Sequence, residues 1–312
     1  MTRAVVLARV GSTFRVNTEA GECVAVLSGK LKHADGDRVV AGDVVEVDGR
    51  GEGPVVIHAV RPRKSVLARR AAAGERMGRR AQPIAANVDQ VIVVAAAQDP
   101  EPNARLLDRF LVIAEANGLP AAIVLNKIEL APGALDVLAR RFGPAGYQVL
   151  ATSVKAPTGL PALRDLLRGR MSVLAGASGV GKSSLVNALH PGVTLRIGEI
   201  SEKWGTGRHT TRAAVLVPLQ GMGGGYVVDT PGLREVGTWG VDPDALGACF
   251  PEFRQVLDRC RFDNCRHLVE PGCAVRQAGE QGAFDPDRLV SYQRIYEEVS
   301  VPSWSSGPRR AR

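Results

Sequence analysis

Gly176-Ala177-Ser178-Gly179-Val180-Gly181-Lys182-Ser183 fits the spacing G-x4-G-K-[ST]. The apolar run MSVLAG (171–176) predicts a strand leading into it, and SSLVNALH (183–190) a helix leading out. That context separates a phosphate-cradling loop from a glycine-rich turn that happens to carry a lysine. In such a loop, successive backbone N–H groups and the helix N-terminus bind phosphate oxygens. Lys182 is expected to reach the β- and γ-phosphates of a nucleotide. The Ser183 hydroxyl is expected to ligate Mg²⁺, with Ser184 beside it at the helix start. The motif alone does not choose between ATP and GTP.

Similar short apolar runs lie on both sides: QVIVVAAAQ (90–98), AAIVLNK (121–127), YQVLATS (147–153) and GYVVDT (225–230). Amphipathic stretches separate several of them, such as NARLLDRFLVIAEANG (103–118) and GALDVLARRFGPAG (133–146). Buried strands alternating with helices predict a doubly wound α/β domain. Upstream, VAVLSG, DRVVAGDVVEVDG and GPVVIHAV are Val-rich and punctuated by Gly and Asp, which predicts a small all-β unit of about five strands. An OB-type barrel is one candidate of that size. Downstream of about Gly240 the strand pattern stops. The expected division is therefore residues 1–68 as the barrel, 69–240 as the nucleotide-binding domain and 241–312 as a metal-binding domain with a basic tail. A chain of 312 residues suits two or three domains.

The motif that chooses the base lies upstream of the phosphate loop. Asn126-Lys127-Ile128-Glu129 closes the run AAIVLNK and resembles the N-K-x-D guanine-reading motif of the GTPase superfamily. A carboxylate there accepts hydrogen bonds from guanine N1–H and the 2-amino group. Adenine would leave it unpaired, at a cost in affinity. Asn126 would bond the base edge and Lys127 would lie over the ring. Glu129 stands where the motif has Asp, one methylene longer. Ala151-Thr152-Ser153 resembles the short serine loop that contacts the guanine oxygen. Asp229-Thr230-Pro231-Gly232 follows GYVV; its carboxylate can hold Mg²⁺ through water, and the Gly232 N–H can sense a γ-phosphate. The order is base loop, serine loop, phosphate loop, then DTPG. Ordinary GTPases begin with the phosphate loop, so the domain reads as circularly permuted, which closely spaced domain termini permit.

Cys260, Cys265, His267 and Cys273 have the spacing C-x4-C-x-H-x5-C. Three thiolates and one imidazole form a closed tetrahedral set suited to one structural Zn²⁺, with no position left for a catalytic water. Five Cys in 312 residues make no disulfide framework; Cys23 and Cys249 read as core residues. The N-terminus places Arg9 and Arg15 where a signal peptide needs an unbroken apolar stretch, and no apolar run reaches the ~18 residues of a membrane span. A cytoplasmic protein that does not enter membranes is expected. The net charge is +8, and its excess is local: Arg61, Arg63, Lys64, Arg69, Arg70, Arg76, Arg79 and Arg80 face one acid, Glu75. Such a stretch points to a phosphate-rich partner or to a solvated linker.

Taken together, the β-barrel, GASGVGKS, GRHTTR, DTPGLRE and CRFDNCRH…EPGCAV resemble the small-ribosomal-subunit biogenesis GTPase family, ribosome small-subunit-dependent GTPase A, over nearly the whole chain. The resemblance implies an OB barrel, a permuted GTPase domain and a zinc domain. It implies GTP hydrolysis stimulated by the small subunit, contact with ribosomal RNA, GTP and GDP as ligands, and action as a monomer in late subunit assembly. It places the first switch at Gly207-Arg208-His209-Thr210-Thr211-Arg212, with Thr211, or else Thr210, closing on Mg²⁺. Leu233 follows DTPG where many GTPases have a catalytic Gln, and leucine cannot orient water, so His209 is the catalytic candidate beside Lys182. Because DTPG lies about 30 residues before the zinc ligands, the switch is expected to feed into the zinc domain. A nucleotide-signalled RNA-binding module without turnover and a P-loop ATPase or kinase are the competing readings.

Overall fold

In a computed structural model the described residues are 1–32, 39–49, 53–69, 82–190, 214–219, 223–229 and 241–300. The expected switch residues His209, Thr210, Thr211 and Gly232 lie outside them. So do Arg70, Arg76, Arg79 and Arg80 of the basic stretch, and the tail from 301.

The Val-rich N-terminal segment alternates buried and exposed positions, as strands with one buried face must. β1 (Thr2–Val10), β2 (Thr13–Thr18), β3 (Gly21–Leu27), β4 (Val44–Asp48) and β5 (Val55–Val60) close into a barrel of order β1-β2-β3-β5-β4. β3 and β5 run parallel and the other pairs antiparallel, the arrangement of an OB-type barrel. A short helix, α1 (Gly29–Lys32), follows β3. Ala4, Val6, Phe14, Val16, Ala25, Val45, Val47 and Ile57 fill the interior. β1 is irregular between Val6 and Ala8, and the extra residue, Leu7, packs outside the barrel against the second domain.

β6 (Val66–Arg69) and β7 (Gln82–Ala86) form an antiparallel ribbon beside the barrel, so the expected boundary at residue 68 falls within β6. The main sheet has the order β10-β9-β8-β11-β13-β12. β8 (Gln90–Ala96) and β11 (Met171–Ala175) are buried at every residue, because helices cover both faces, and this is why they read as unbroken apolar runs. β9 (Ala121–Asn126), β10 (Gln148–Ala151) and β13 (Gly225–Asp229) complete the parallel set. β12 (Val215–Leu219) runs antiparallel to β13 at the edge, where Pro218 is tolerated. Helices α2 (Ala104–Ala116), α3 (Ala134–Phe142), α4 (Leu160–Leu167) and α5 (Lys182–Leu189) connect the strands. The strands next to β11 are β8, which precedes it in the chain, and β13, which follows it. That reversal is the point where doubly wound sheets bind ligands.

Beyond residue 240 the described chain is helical: 3-10 turns at Pro243–Cys249, Pro251–Phe253 and Leu257–Arg259, then α6 (Ala274–Glu280) and α7 (Pro286–Ser300). Phe250, Phe253, Phe284 and Tyr292 form its core, and Val112 of α2 belongs to the same cluster. Among the described residues no helix is long and apolar enough to cross a membrane.

Candidate functional site: a phosphate loop joined to a base loop

The loop after β11 turns on glycines that no other residue can replace. Gly176 has φ 144°, and a Cβ there would lie 2.2 Å from the Val94 carbonyl oxygen. Gly181 has φ 95°, and its Cβ would lie 2.3 Å from Asn126 Nδ2. Val180 is buried under α5 and anchors the loop, while Ser178 and Gly179 are exposed at its tip and Ala177 is half-buried. Lys182 opens α5 and is only 9% exposed; its ammonium donates to the carbonyls of Gly176 at 2.8 Å and Ala177 at 2.6 Å. The charge is thus held across the mouth of the loop. Ser183 is half-buried one residue further along α5 and Ser184 is exposed.

Two strands away, β9 ends at Asn126, which is 2% exposed. Its Nδ2 donates to the Val180 carbonyl at 2.9 Å, and its Oδ1 accepts from the Thr152 hydroxyl at 3.2 Å. Three loops separated in sequence therefore meet at one amide. Lys127 adopts a left-handed conformation, φ 57°, and its ammonium bonds the Asp99 carbonyl in the loop between β8 and α2. Glu129 sits in the 3-10 turn Ile128–Leu130. The Ser153 hydroxyl first, then backbone bonding and the Lys155 and Lys127 charges, hold its carboxyl below the usual range against burial, which pushes it up. Glu129 Oε2 is buried without a hydrogen-bond partner among the described residues, so an acceptor stands ready for a donor from outside the chain. The Ser153 amide is committed to the Thr158 carbonyl at 3.0 Å, which leaves its hydroxyl as the group turned to the base loop.

β13 ends at Asp229, paired with Val215 of β12. The Asp229 side chain lies outside the described residues, as do Gly232, Thr211 and His209.

The third constellation is Cys260, Cys265, His267 and Cys273, whose ligand atoms all lie within 4.8 Å of one another. Cys260 Sγ and Cys273 Sγ are 3.5 and 3.4 Å from His267 Nδ1. Zn–S bonds of about 2.3 Å and Zn–N bonds of about 2.0 Å give a tetrahedral S···N edge of about 3.5 Å, so the set fits one Zn²⁺ with Nδ1 as the imidazole ligand. Burial keeps His267 below its ordinary value, hence neutral, and pushes the Cys265 thiol up to about 12; a bound cation would hold such thiols as thiolates. The Glu270 carboxylate accepts from the N–H groups of Arg266, Leu268 and Val269 at 2.9–3.1 Å and shapes the loop. From α7, the Tyr292 hydroxyl donates to the Arg266 carbonyl at 2.9 Å. Cys249 is buried in the domain core, and Cys23 is half-buried at the margin of the barrel core.

The basic stretch divides. Arg63 bonds the fully buried Asp43 through two nitrogens at 2.7 and 2.9 Å, and Arg61 pairs with Glu46 at 3.2 Å. These two hold the barrel exit, a role invisible in the charge count. Sequence reasoning also missed Arg288 on α7, 1% exposed, which bonds Asp108 of α2 and Glu252 and lies 4.6 Å over the Phe250 ring. Asp108 also accepts from Arg141 at 2.8 Å. No sequence signal marks such a pair across domains.

A model of the RsgA GTPase family matches residues 60–239. The small ribosomal subunit biogenesis GTPase RsgA of Gemmatimonas aurantiaca is 48% identical over 304 residues, 96% of this chain and 97% of that protein. Its counterpart in Azotobacter vinelandii is 39% identical, covering 96% and 86%. Among solved structures, YjeQ from Thermotoga maritima superposes with a TM-score of 0.77 at 33% identity, over 96% of this chain and 98% of that one. YloQ, described as a circularly permuted GTPase, gives 0.74 at 26% identity over 99% and 97%. Both the sequence relatives and the shared architecture extend across the barrel, the permuted sheet and the cysteine-rich end, and on that ground the chain belongs to the RsgA GTPase family.

Proposed function

We propose that the chain hydrolyses GTP as an assembly factor of the small ribosomal subunit, and that the subunit stimulates the reaction. The observation that carries the guanine part is the junction at Asn126, which fixes the base loop to the phosphate loop, with the unpartnered Glu129 Oε2 beside it. The names of the relatives, each a small ribosomal subunit biogenesis GTPase, carry the subunit part.

In this reading the loop amides from Gly176 to Ser183 bind the phosphates and Lys182 neutralises charge on the β- and γ-oxygens. Asn126 and Glu129 read the base edge, Lys127 covers the ring and Ser153 holds Glu129. Ser183, Thr211 and Asp229 are the residues that would hold Mg²⁺, and the bound ion would supply charge neutralisation at the phosphates. His209 orients the attacking water, because Leu233 cannot, and Gly232 senses the γ-phosphate. Cys260, Cys265, His267 and Cys273 hold Zn²⁺ in a structural role. Residues 1–68, 69–240 and 241–312 act as barrel, GTPase and zinc units of a cytoplasmic monomer that contacts ribosomal RNA. Competition against labelled GTP tests the base reading. GDP is expected to displace it at concentrations at least tenfold lower than ADP. Equal displacement by ADP would return the site to the ATPase or kinase reading.

A further inference from the structure

Chain order suggests that nucleotide state is read out by the zinc domain, because DTPG runs into it. The packing of the described residues places the barrel, instead, on the strands concerned. Segments 191–213 and 230–240 join the sheet at β12 and β13, whose residues Val215 and Asp229 are paired. β1 of the barrel packs along β12. Leu7, turned out of the barrel by the irregularity in β1, shares a core with Ala214, Leu216 and Val228, and Val5 and Tyr226 pack on its margin. One polar tie crosses the same interface: Asn17 Nδ2 of β2 donates to Tyr226 Oη of β13 at 3.0 Å. Tyr226 lies three residues before Asp229 on that strand.

The zinc domain is fastened elsewhere. Its ion pairs to the GTPase domain run from Arg288 to Asp108, Arg254 to Glu115 and Glu298 to Arg109 on α2, and from Asp287 and Asp285 to Arg141 on α3, which connects β9 to β10. α2 connects β8 to β9, on the other side of β11 from β12 and β13.

We infer that the barrel is the element coupled to hydrolysis, and that Asn17 and Tyr226 are positioning residues through which its engagement by subunit RNA acts on β12 and β13. The inference rests on the proposed function. Packed interfaces move as units rather than deform continuously, so displacement of β1 and β2 must be taken up by the two strands they cover. The tie between Asn17 and Tyr226 adds a directional link from the barrel to β13 beside the packing of Leu7, and without it only part of a barrel displacement is passed to that strand.

The test uses the full chain as wild type, Tyr226→Phe, Asn17→Ala and the double variant. GTP turnover is measured with and without purified small subunits, beside GDP affinity, subunit affinity and melting temperature. Each single variant is expected to keep basal turnover, GDP affinity and subunit affinity within about twofold. Each should lower subunit-stimulated turnover by about threefold to tenfold, the range of one net hydrogen bond. The double variant should lose no more than the singles, since both remove one contact. Unchanged stimulation in both singles overturns the inference and leaves the proposed function standing. So does a loss of stimulation matched by an equal loss of subunit affinity, which would make the pair part of a docking surface only. A wild-type chain that the subunit does not stimulate overturns both.

Discussion

Asn126 Nδ2 and the Val180 carbonyl, 54 residues apart in sequence, are joined by a 2.9 Å hydrogen bond that ties the end of β9 to the phosphate loop after β11. The glycine beside Val180 makes room for it, since a Cβ at Gly181 would lie 2.3 Å from the same nitrogen. Base reading and phosphate binding thus depend on one buried amide. Asn126→Ala should weaken GDP binding at least tenfold, with little change in the fold, because it deletes the tie and strands the Val180 carbonyl and the Thr152 hydroxyl. Gly181→Ala should weaken it further, since both φ and space are wrong for a side chain. Titration of a fluorescent GDP analogue measures both; affinities within threefold of wild type would show that the junction is dispensable.

Glu129 provides a pH test. The Ser153 hydroxyl lowers its carboxyl below the usual range, so the charge that guanine needs persists as pH falls and disappears only through that lowered value. The acid limb of GDP binding should therefore lie below the ordinary Glu range. Ser153→Ala should shift it to higher pH, since the main cause of the lowering is gone. Glu129→Gln should remove the limb and most of the preference over IDP, which lacks the 2-amino group. A limb that stays in place in Ser153→Ala would uncouple the two residues.

The zinc site should be part of folding rather than catalysis. Cys260→Ser and Cys273→Ser are each expected to lose the one equivalent of zinc and to melt the C-terminal helices, because α7 reaches the ligand loop through Tyr292. Metal analysis and helical circular dichroism read the two effects. Full zinc content in either variant would show that the ligand set is wrong.

Arg288 is buried with Asp108 and Glu252 on either side of its guanidinium. Arg288→Met should destabilise the C-terminal domain and its seat on α2 by about 3–5 kcal/mol, since Glu252 would lose its buried cation and Asp108 would be left to Arg141. Urea unfolding followed by tryptophan-independent far-UV signal measures it. A cost below about 1 kcal/mol would mean that water reaches the pair.

What could be read from the sequence follows from which interactions are local. β8 and β11 show as apolar runs because both faces are covered, and the zinc ligands show because their spacing is short. The barrel shows as a class, yet the pairing that makes it OB-type joins strands far apart, and β1 and β2 lie in a stretch whose arginines obscure the alternation. β12 is short, antiparallel and carries Pro218, so it has no strong strand signature. Arg61 and Arg63 read as part of a basic partner-binding run, whereas their carboxylates, Glu46 and Asp43, lie 15 and 20 residues away. The contacts that join the domains, Arg288 to Asp108 and Asn17 to Tyr226, span 180 and 209 residues and leave no local pattern.

The most direct measurement is GTP turnover by the full chain with and without purified small ribosomal subunits at one salt concentration, for wild type, Lys182→Ala and His209→Ala. Wild type should turn over faster with subunits than without. Lys182→Ala should lose nucleotide affinity, and His209→Ala should keep affinity but lose about 10²- to 10⁴-fold in stimulated turnover. A wild-type rate that is the same with and without subunits would contradict the account and leave a nucleotide-signalled binding module in its place.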